Sequence, residues 1–328
     1  EKGPDYFYRG DFAEALAREM RAGADAWITR EDLSDYRALP KPAAAGTFRH
    51  FRIEAPPPPS GAVQFFELMN ILEGFDTRKI NGTAAGIHGL AEAQRRVMAD
   101  RASYMGDPDF VSVPLQGLLS KRYAEEFRRG IRADRAAARV SPGKPRNFET
   151  TTQLCVVDGQ GNIVSLTQTI NSFFGSGVVV PGTGVLLNNE MHEFSLTPGA
   201  PNSFAPGKRP LSSMSPAIVF RENQPYVVFG SAGAARIFSA MAQTLLNIES
   251  GMNVQQAVNA PRAHWDIDLF VEARIPSGVR SQLAGMGYSL VVKNSYDFYF
   301  GGVQAIMIDG GRLYGAADPR RDGAAIGY

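Results

Sequence analysis

Residues 151–171 read TTQLCVVDGQGNIVSLTQTIN, which is the pattern of a β-hairpin. An apolar run ends at Val157, residues 158–162 are typical of a turn, and residues 163–170 resume with β-branched side chains. The stretch therefore predicts two antiparallel strands joined by a short connection.

This hairpin would bring two threonine hydroxyls together at its open end. If the turn is centred on Gln160, Thr151 lies directly opposite Thr169. Opposed residues share one face of a sheet, with Cβ atoms about 4.5 to 5.5 Å apart. A register shift of one residue would send one of the two hydroxyls to the other face.

Composition narrows the class of protein. The 328 residues are 44% hydrophobic, and 34 basic against 33 acidic side chains leave a net charge of +1. No basic stripe interleaved with aromatic residues suggests nucleic-acid binding, and the longest apolar runs are too short to span a bilayer. The single cysteine, Cys155, excludes an internal disulfide. The chain opens without an initiator Met or a signal peptide, so we expect a processed or partial product.

Periodicity predicts a first half that is mostly helical and a second half dominated by strands. Helices are predicted at 13–20, after the proline-rich turn 56–61, and at 84–104, 236–249 and 254–259. Strands are predicted at 154–157, 163–170, 178–180, 185–187, 217–220, 226–229, 289–292 and 303–308. The length allows either two domains or one large α/β unit.

The segment before the hairpin is rich in Arg, Ala, Pro and Gly from 128 to 149, which predicts an exposed connection. Cleavage of the Thr150–Thr151 bond would make Thr151 an N-terminal residue. A free α-amine has a pKa of about 7.7 to 8.0 and can take the proton from the hydroxyl of its own residue. On pattern alone, an ordinary β-forming role for Thr151 stays open.

Several longer motifs occur in one order along the chain. They are PPPSG at 57–61, DR at 100–101 with GDPDF at 106–110, the hairpin itself, GVLLNNEM at 184–191, KRPLSSMSP at 208–216 and DPR at 318–320. With these motifs the chain resembles the γ-glutamyltranspeptidases, which are N-terminal nucleophile hydrolases, over essentially its whole length.

The resemblance implies an α+β fold, a four-layer αββα sandwich, made as a precursor that cuts itself before the nucleophilic threonine. Residues 1–150 would be the C-terminal part of the large, mostly helical fragment and 151–328 the small fragment, the two forming one intertwined domain. The implied activity is γ-glutamyl amide hydrolysis and transfer on glutathione-like substrates, without metal or cofactor. The other processed fragment is the implied partner, and a homodimer of such heterodimers is allowed. A periplasmic or secreted location is implied, with the cytoplasm left open.

By the same resemblance, Thr151 is the nucleophile and Thr169 the hydroxyl that orients it, and the autocleavage site lies between Thr150 and Thr151. The backbone N–H groups of Gly233 and Ala234, in the glycine-rich stretch between a strand and a helix, would form the oxyanion hole. Substrate-binding roles fall on the following residues: Asn171, Glu190, Glu193, Ser212 and Ser213. The two glutamates would pair with the substrate α-ammonium, and the two serines would bind its α-carboxylate.

Four departures from the family pattern bear on the substrate. Glu193 stands where these proteins usually have Asp, and Ala234 replaces a glycine, so that a positive φ there becomes unfavourable. The segment 195–208 is short and lacks an inserted lid loop, which would admit longer or bulkier acyl groups. The N-terminal part of the family's large fragment, including an arginine that meets the substrate carboxylate, is also missing from the sequence.

The sequence gives weaker support for a metal site or for a serine nucleophile. The four histidines, which lie at 50, 88, 192 and 264, show no metal-binding spacing. Ser231 lies between a strand and a helix, but its surroundings do not match a serine nucleophile elbow. Two rival hypotheses remain: a lidless relative acting on polyglutamate or a cephalosporin side chain, and an uncleaved, non-catalytic member.

Overall fold

The computed structural model describes residues 3–23, 28–76, 80, 82–137 and 149–328. The helices are α1 Gly3–Tyr8, α2 Asp11–Ala22, α3 Arg30–Asp35, α4 Ala62–Leu72, α5 Ala84–Tyr104, α6 Leu115–Leu118, α7 Lys121–Gly130, α8 Ile237–Glu249, α9 Val254–Asn259 and α10 Ser277–Gly285. The strands are β1 Ala44–Phe48, β2 Phe51–Ala55, β3 Glu149–Val157, β4 Ile163–Ser172, β5 Ala217–Arg221, β6 Gln224–Ala232, β7 Ala263–Trp265, β8 Leu269–Glu272, β9 Leu290–Lys293, β10 Gly302–Asp309 and β11 Arg312–Ala317. Residues 138–148, half of the exposed connection predicted at 128–149, lie outside the described residues.

The chain folds into two compact units. Residues 1–41 and 170–190 form the smaller unit, and residues 42–169 and 191–328 form the larger one. Each unit therefore takes chain from both sides of Thr151. The predicted division into fragments 1–150 and 151–328 stays a prediction.

In the larger unit, a six-stranded sheet has the order β1-β2-β5-β6-β10-β11, and each neighbouring pair is antiparallel. The hairpin β3-β4 forms a separate two-stranded sheet that packs on β6 and β10. A third sheet, β7-β8-β9, combines an antiparallel and a parallel pair.

Strand β6 shows how the layers stack, because successive strand residues point to opposite faces. The Phe229 ring packs against Phe65 of α4, with 5.9 Å between ring centroids. The next residue, Gly230, faces Gln153 of β3 on the other side of the sheet. The layers of this unit therefore run helix, sheet, sheet, and the predicted α+β sandwich is confirmed.

The helical layer is built mainly from α4, α5 and α8, which contact one another or the sheet. Every residue of α4 is buried, so its apolar positions face both the sheet and the neighbouring helices. Helix α5 spans the residues that the sequence predicted, because the Thr83 hydroxyl accepts a hydrogen bond from the Gly86 N–H at 3.1 Å and caps its first turn.

The smaller unit packs α2 against the segment 180–187. Phe12, Leu16 and Val180 form its buried centre. The strands predicted at 178–180 and 185–187 are wrong, because the two runs share only the single bridge Val179–Leu186. Gly182 and Gly184 between them take positive φ angles, 75° and 70°, so the chain turns too tightly to extend a ladder.

In the described part of the chain, no helix combines the length and the apolar character that a membrane crossing requires.

Candidate active site

The open end of the hairpin carries the two threonines as predicted. The Thr151 hydroxyl donates to Thr169 Oγ1 at 3.5 Å, which is long for a hydrogen bond between hydroxyls. Both side chains are partly buried and lie on the face turned toward the six-stranded sheet. The predicted register is therefore confirmed, while the catalytic roles of the two hydroxyls stay predictions.

The glycine-rich turn after β6 lies beside the strand that carries Thr151, because β3 packs against both β6 and the 3₁₀ turn Ala234–Arg236. Gly233 has a φ of 130° and Ala234 a φ of 56°. Toward the described residues, neither of their N–H groups donates a hydrogen bond. Two free backbone donors on a turn with positive φ form a concave site that suits an anion.

The sequence indicated that a positive φ would be unfavourable at Ala234, and the structure shows that Ala234 nevertheless adopts the left-handed conformation. An L-residue with a Cβ loses roughly 1 to 2 kcal/mol there, yet the backbone adopts it. The reason lies in close packing: a Cβ on Gly233 would lie 2.7 Å from the Cα of Gly301, so the turn packs directly against the residue that precedes β10. Strain of this kind is typical of functional turns.

We expect Ala234→Gly to raise the free energy of unfolding by about 1 kcal/mol, because glycine accepts the positive φ without strain. Urea denaturation of both proteins measures the change. Ala235→Gly is the matched control: Ala235 lies in the same 3₁₀ turn without a positive φ, so it should lose roughly 0.5 to 1 kcal/mol. Equal destabilisation by both variants would contradict the strain.

The candidate substrate carboxylates share the 3₁₀ turn Glu190–Glu193. Glu193 is only 4% exposed, so it is not an ordinary solvated acid. Asn171 is buried and has a φ of 71°, a conformation that asparagine tolerates better than most residues. Asn171 and Glu190 belong to the smaller unit, and their proximity to Thr151 stays a prediction.

The serine pair is held by the proline-rich turn that the sequence singled out. The Ser212 N–H donates to the Pro59 carbonyl at 2.9 Å, and the Gly61 N–H donates to the Met214 carbonyl at 3.0 Å. A Cβ on Gly61 would lie 2.4 Å from the Ser213 carbonyl oxygen, so glycine is required there. Residues 57–61 and 208–216, two separate motifs in sequence, therefore form one structural element.

The short segment 195–208 links Glu193 to the serine pair through one buried side chain. Asn202 donates from Nδ2 to the Glu193 carbonyl at 2.7 Å, and its Oδ1 accepts from the Leu211 N–H at 3.2 Å. Leu211 directly precedes Ser212. The absence of a lid insertion thus coincides with a compact bridge between two predicted substrate-binding positions.

An ion pair between Arg209 and the buried Asp107 anchors the chain between the segment 195–208 and the serine pair. Arg209 donates to Asp107 from its backbone N–H at 2.9 Å and from Nε at 3.0 Å. Burial alone would raise the pKa of Asp107, but the hydrogen bonds and charge of Arg209 outweigh it and hold that pKa below its ordinary value. The carboxylate stays ionised, and it ties the GDPDF motif to KRPLSSMSP.

A cavity of about 310 Å³ lies beside Thr151. Its walls include Ala232, Gly302, Arg321 and Ile326. Burial, together with the nearby charge of Arg236, lowers the pKa of Arg321 to about 10, so the guanidinium is still protonated at neutral pH. The space next to the candidate nucleophile is therefore bounded by a cation.

Two side chains that could rival Thr151 as the nucleophile, Cys155 and Ser231, are poorly suited to that role. Burial raises the pKa of the Cys155 thiol, which keeps it protonated. Ser231 is fully buried, and its hydroxyl donates to the Ala232 carbonyl. In the described ranges, no group of three or more His, Cys, Asp or Glu side chains is placed to hold a metal ion.

Three residues near this site were missed from the sequence: Gln153, Gly230 and Arg321. Gln153 and Gly230 touch each other across two sheets, and Arg321 lines the cavity beside Thr151. Gln153 could have been suspected, because it lies two residues after Thr151 and so shares its face. The other two depend on long-range packing that no local pattern reveals.

Comparison with known proteins agrees with this geometry. The family model described as Gamma-glutamyltranspeptidase matches residues 1–328. The chain belongs to the γ-glutamyltranspeptidase family.

Among curated relatives, the glutathione hydrolase proenzyme of Escherichia coli (strain K12) is 40% identical over 350 residues, covering 100% of this chain and 60% of that protein. The Acylase ACY 1 proenzyme of Pseudomonas sp. (strain SE83) is 38% identical, covering 99% and 58%. A crystal structure of cephalosporin acylase from Bacillus halodurans superposes with a TM-score of 0.88 at 32% identity, covering 98% of this chain and 59% of that one. The chain thus spans about 60% of the length of the curated relatives it matches.

Proposed function

We propose that this protein is a γ-glutamyl amide hydrolase and transpeptidase whose nucleophile is Thr151, exposed by self-cleavage of the Thr150–Thr151 bond. The observation that carries the proposal is the meeting of the Thr151 and Thr169 hydroxyls, 3.5 Å apart, in a chain of this family. Relatives named as proenzymes support a cleaved precursor. Fragments 1–150 and 151–328 would then stay together, since each compact unit contains both.

Cleavage would use the same hydroxyl as turnover. Thr151 Oγ1 attacks the Thr150 carbonyl carbon, the Thr150–Thr151 peptide bond breaks, and an ester replaces it. Water then hydrolyses the ester and leaves a carboxylate on Thr150 and a free α-amine on Thr151. Since a free α-amine has a pKa of about 7.7 to 8.0, roughly 10 to 20% of it is neutral at pH 7 and can act as a base.

In turnover, the Thr151 amine takes the hydroxyl proton while Oγ1 attacks the amide carbonyl of the substrate. The oxyanion lies against the free N–H groups of Gly233 and Ala234, donors of a type worth about 2.7 to 4 kcal/mol each in such sites. The leaving amine carries away the proton, and the acyl group stays on Thr151 as an ester. Water or a second amine completes hydrolysis or transfer. Thr169 orients Oγ1 throughout.

The acyl group is recognised by charge and hydrogen bonding. Glu190 and Glu193 would pair with the α-ammonium of a γ-glutamyl group, and Ser212 and Ser213 would bind its α-carboxylate. Asn171 would contact the same amino acid moiety. By family resemblance we also propose a periplasmic or secreted location.

A second candidate is an amide acylase with a different acyl group. It is favoured by the 38% identity to the Acylase ACY 1 proenzyme and the likeness to a cephalosporin acylase. The short 195–208 segment, which leaves no lid insertion over Glu193, also favours a bulkier substrate.

The two candidates are separated by comparing the turnover of γ-glutamyl-p-nitroanilide with that of glutaryl-p-nitroanilide, which lacks the α-amino group. We expect kcat/KM for the γ-glutamyl amide to be at least about tenfold higher, because a charge-assisted contact to the ammonium is lost in the other. Glu193→Gln should narrow that ratio. Equal rates would contradict the γ-glutamyl proposal and favour an acylase. A single uncut band on a denaturing gel would contradict both.

A further inference from the structure

A buried amide lies between the proposed nucleophile and the oxyanion turn. Gln153 is 6% exposed and follows Thr151 by two residues on the same face of β3. On the opposite face of the hairpin, Leu154 and Leu166 are about half exposed, at 51% and 45%. The polar side chain is therefore the one turned inward, where an unpaired amide would be costly.

The Gln153 amide is satisfied across the hairpin. Its Oε1 accepts a hydrogen bond from the Thr167 hydroxyl, and its Nε2 donates to Ser165 Oγ at 3.0 Å. Thr167 lies opposite Gln153 in the register that places Thr151 opposite Thr169. The Gln153–Thr167 pair is therefore the neighbour, on the same face of the hairpin, of the pair that carries the two candidate catalytic hydroxyls.

The network continues into the six-stranded sheet. Ser165 donates from Oγ to the Phe229 carbonyl at 3.0 Å, and the Cys155 thiol donates to the Gln304 carbonyl at 3.4 Å. Phe229 belongs to β6 and Gln304 to β10, so the inward face of the hairpin is tied to both central strands. A register shift would break these contacts together.

Gly230 makes room for this amide. A Cβ on Gly230 would lie 2.2 Å from Gln153 Oε1 and 2.3 Å from its Cδ, both too close for real atoms. Gly230 does not have a positive φ, so space alone requires glycine there. Because Gly233 follows three residues later, Gln153 rests on the end of the strand that leads into the oxyanion turn.

We propose that Gln153 is a positioning residue that sets the Thr151–Thr169 hydroxyl pair against the Gly233–Ala234 turn through its seat on Gly230. The inference rests on the proposed function, because the geometry it sets is that of the proposed nucleophile. The Gln153 amide is hydrogen-bonded to Thr167 and rests on Gly230, and it acts on the hydroxyl pair through these two residues. A misplacement of about 1 Å at such a site can cost on the order of 100-fold in rate.

The first test is Gln153→Met in the full-length protein, which keeps the volume and removes the hydrogen bonds. We expect kcat on γ-glutamyl-p-nitroanilide to fall roughly 10- to 100-fold with KM changed less than about threefold, because positioning acts on the chemical step. Cleavage at Thr151 should slow in parallel. Gln168→Met, an exposed glutamine of β4, is the matched control and should leave both rates unchanged.

A second test separates positioning from general stability. Leu283→Ala removes a buried side chain of α10, far from the hairpin in the fold, and lowers the melting temperature without touching this network. At temperatures where both variants are folded, Leu283→Ala should keep kcat while Gln153→Met does not. Retention of kcat by Gln153→Met, or a change confined to KM, would overturn the inference.

The seat on Gly230 is tested by a double-mutant cycle. Gly230→Ala should cost at least about tenfold in kcat when Gln153 is present, but less than about twofold in a Gln153→Ser background, where the clash is gone. Equal costs in both backgrounds would contradict the contact. A wild-type protein that is neither cut nor active would refute the proposed function instead. The same cycle read on melting temperatures then still decides whether Gln153 rests on Gly230.

Discussion

Asp318→Asn is expected to lower the free energy of unfolding by about 3 to 5 kcal/mol, because it leaves the buried Arg262 without its ion-pair partner and removes one of the two carboxylates that pair with Arg320. Asp318 is fully buried and accepts from Arg262 Nη2 at 2.7 Å, from Arg320 Nη1 at 3.0 Å and from the Val303 N–H at 2.9 Å. The asparagine is isosteric, but its NH₂ would face these donors. Urea denaturation at neutral pH measures the loss.

The electrostatics of this network explain the size of the effect. Burial would raise the pKa of Asp318, but Arg262, Arg320 and two backbone donors outweigh it and lower that pKa. Burial lowers the pKa of Arg262 to about 10 despite the attraction of Asp318. Without the carboxylate, Arg262 loses its ion-pair partner and the largest attraction that offsets its burial, and the DPR motif is held to the core by the Arg320–Glu272 pair alone among these ion pairs.

The control is Asp309→Asn, which removes an acid from the end of β10 near the surface. Asp309 pairs with Arg221 at 2.6 Å, but both side chains are more than a third exposed, at 49% and 39%. Exposed ion pairs contribute about 0 to 1 kcal/mol to stability, so the free energy of unfolding of this variant should fall by less than about 1 kcal/mol. A loss for Asp318→Asn no larger than that of Asp309→Asn would refute the buried network as a source of stability.

The same network bears on the site because of where it lies. Val303, whose N–H donates to Asp318, follows Gly302, which is the first residue of β10 and pairs with Ala232 at the end of β6. Ala232 leads directly into the proposed oxyanion turn. We therefore expect Asp318→Asn to weaken the placement of that turn as well as the fold.

The sequence predicted those features that depend on local chemistry. Helix α5 was placed correctly because Thr83 caps one end and GDP ends the other. The Thr151–Thr169 pairing followed from the symmetry of the hairpin about Gln160, and the structure confirms it. In both cases a few neighbouring residues determine the backbone.

Features set by tertiary packing were not predictable in this way. Strands β1 and β2 were missed, although β2 alternates buried and partly buried residues, because their sequences, AAGTF and FRIEA, are rich in alanine, glycine and charged residues rather than in β-branched ones. Residues 178–180 and 185–187 have strand composition, but two glycines with positive φ prevent a ladder. Gln153 and Gly230 lie 77 positions apart in sequence, and only the stacking of two sheets brings them together.

Thr151→Ala is expected to abolish both self-cleavage and turnover, with a fall in kcat/KM of roughly 10⁴-fold or more, as for loss of a covalent nucleophile. The Cα and Cβ remain, so the β3 backbone and its packing on β6 should be unaffected. The variant should therefore run as one intact band on a denaturing gel and melt close to the uncut wild-type protein. Turnover of γ-glutamyl-p-nitroanilide and the extent of cleavage on the gel are both measured on the same preparation.

Two further variants make this outcome specific to the Thr151 hydroxyl. Thr151→Ser keeps a nucleophilic oxygen and should be cut, with activity reduced because the serine χ1 is less restricted than that of a β-branched residue. Thr152→Ala changes the neighbouring threonine, whose side chain is exposed, and should be cut and active. If Thr151→Ala is still cut into two fragments, the cleavage hydroxyl lies elsewhere. If Thr151→Ala stays uncut, the Thr151 hydroxyl is required for cleavage. Thr151 then has two roles: cleavage needs only its hydroxyl, whereas turnover also needs the α-amine that cleavage releases.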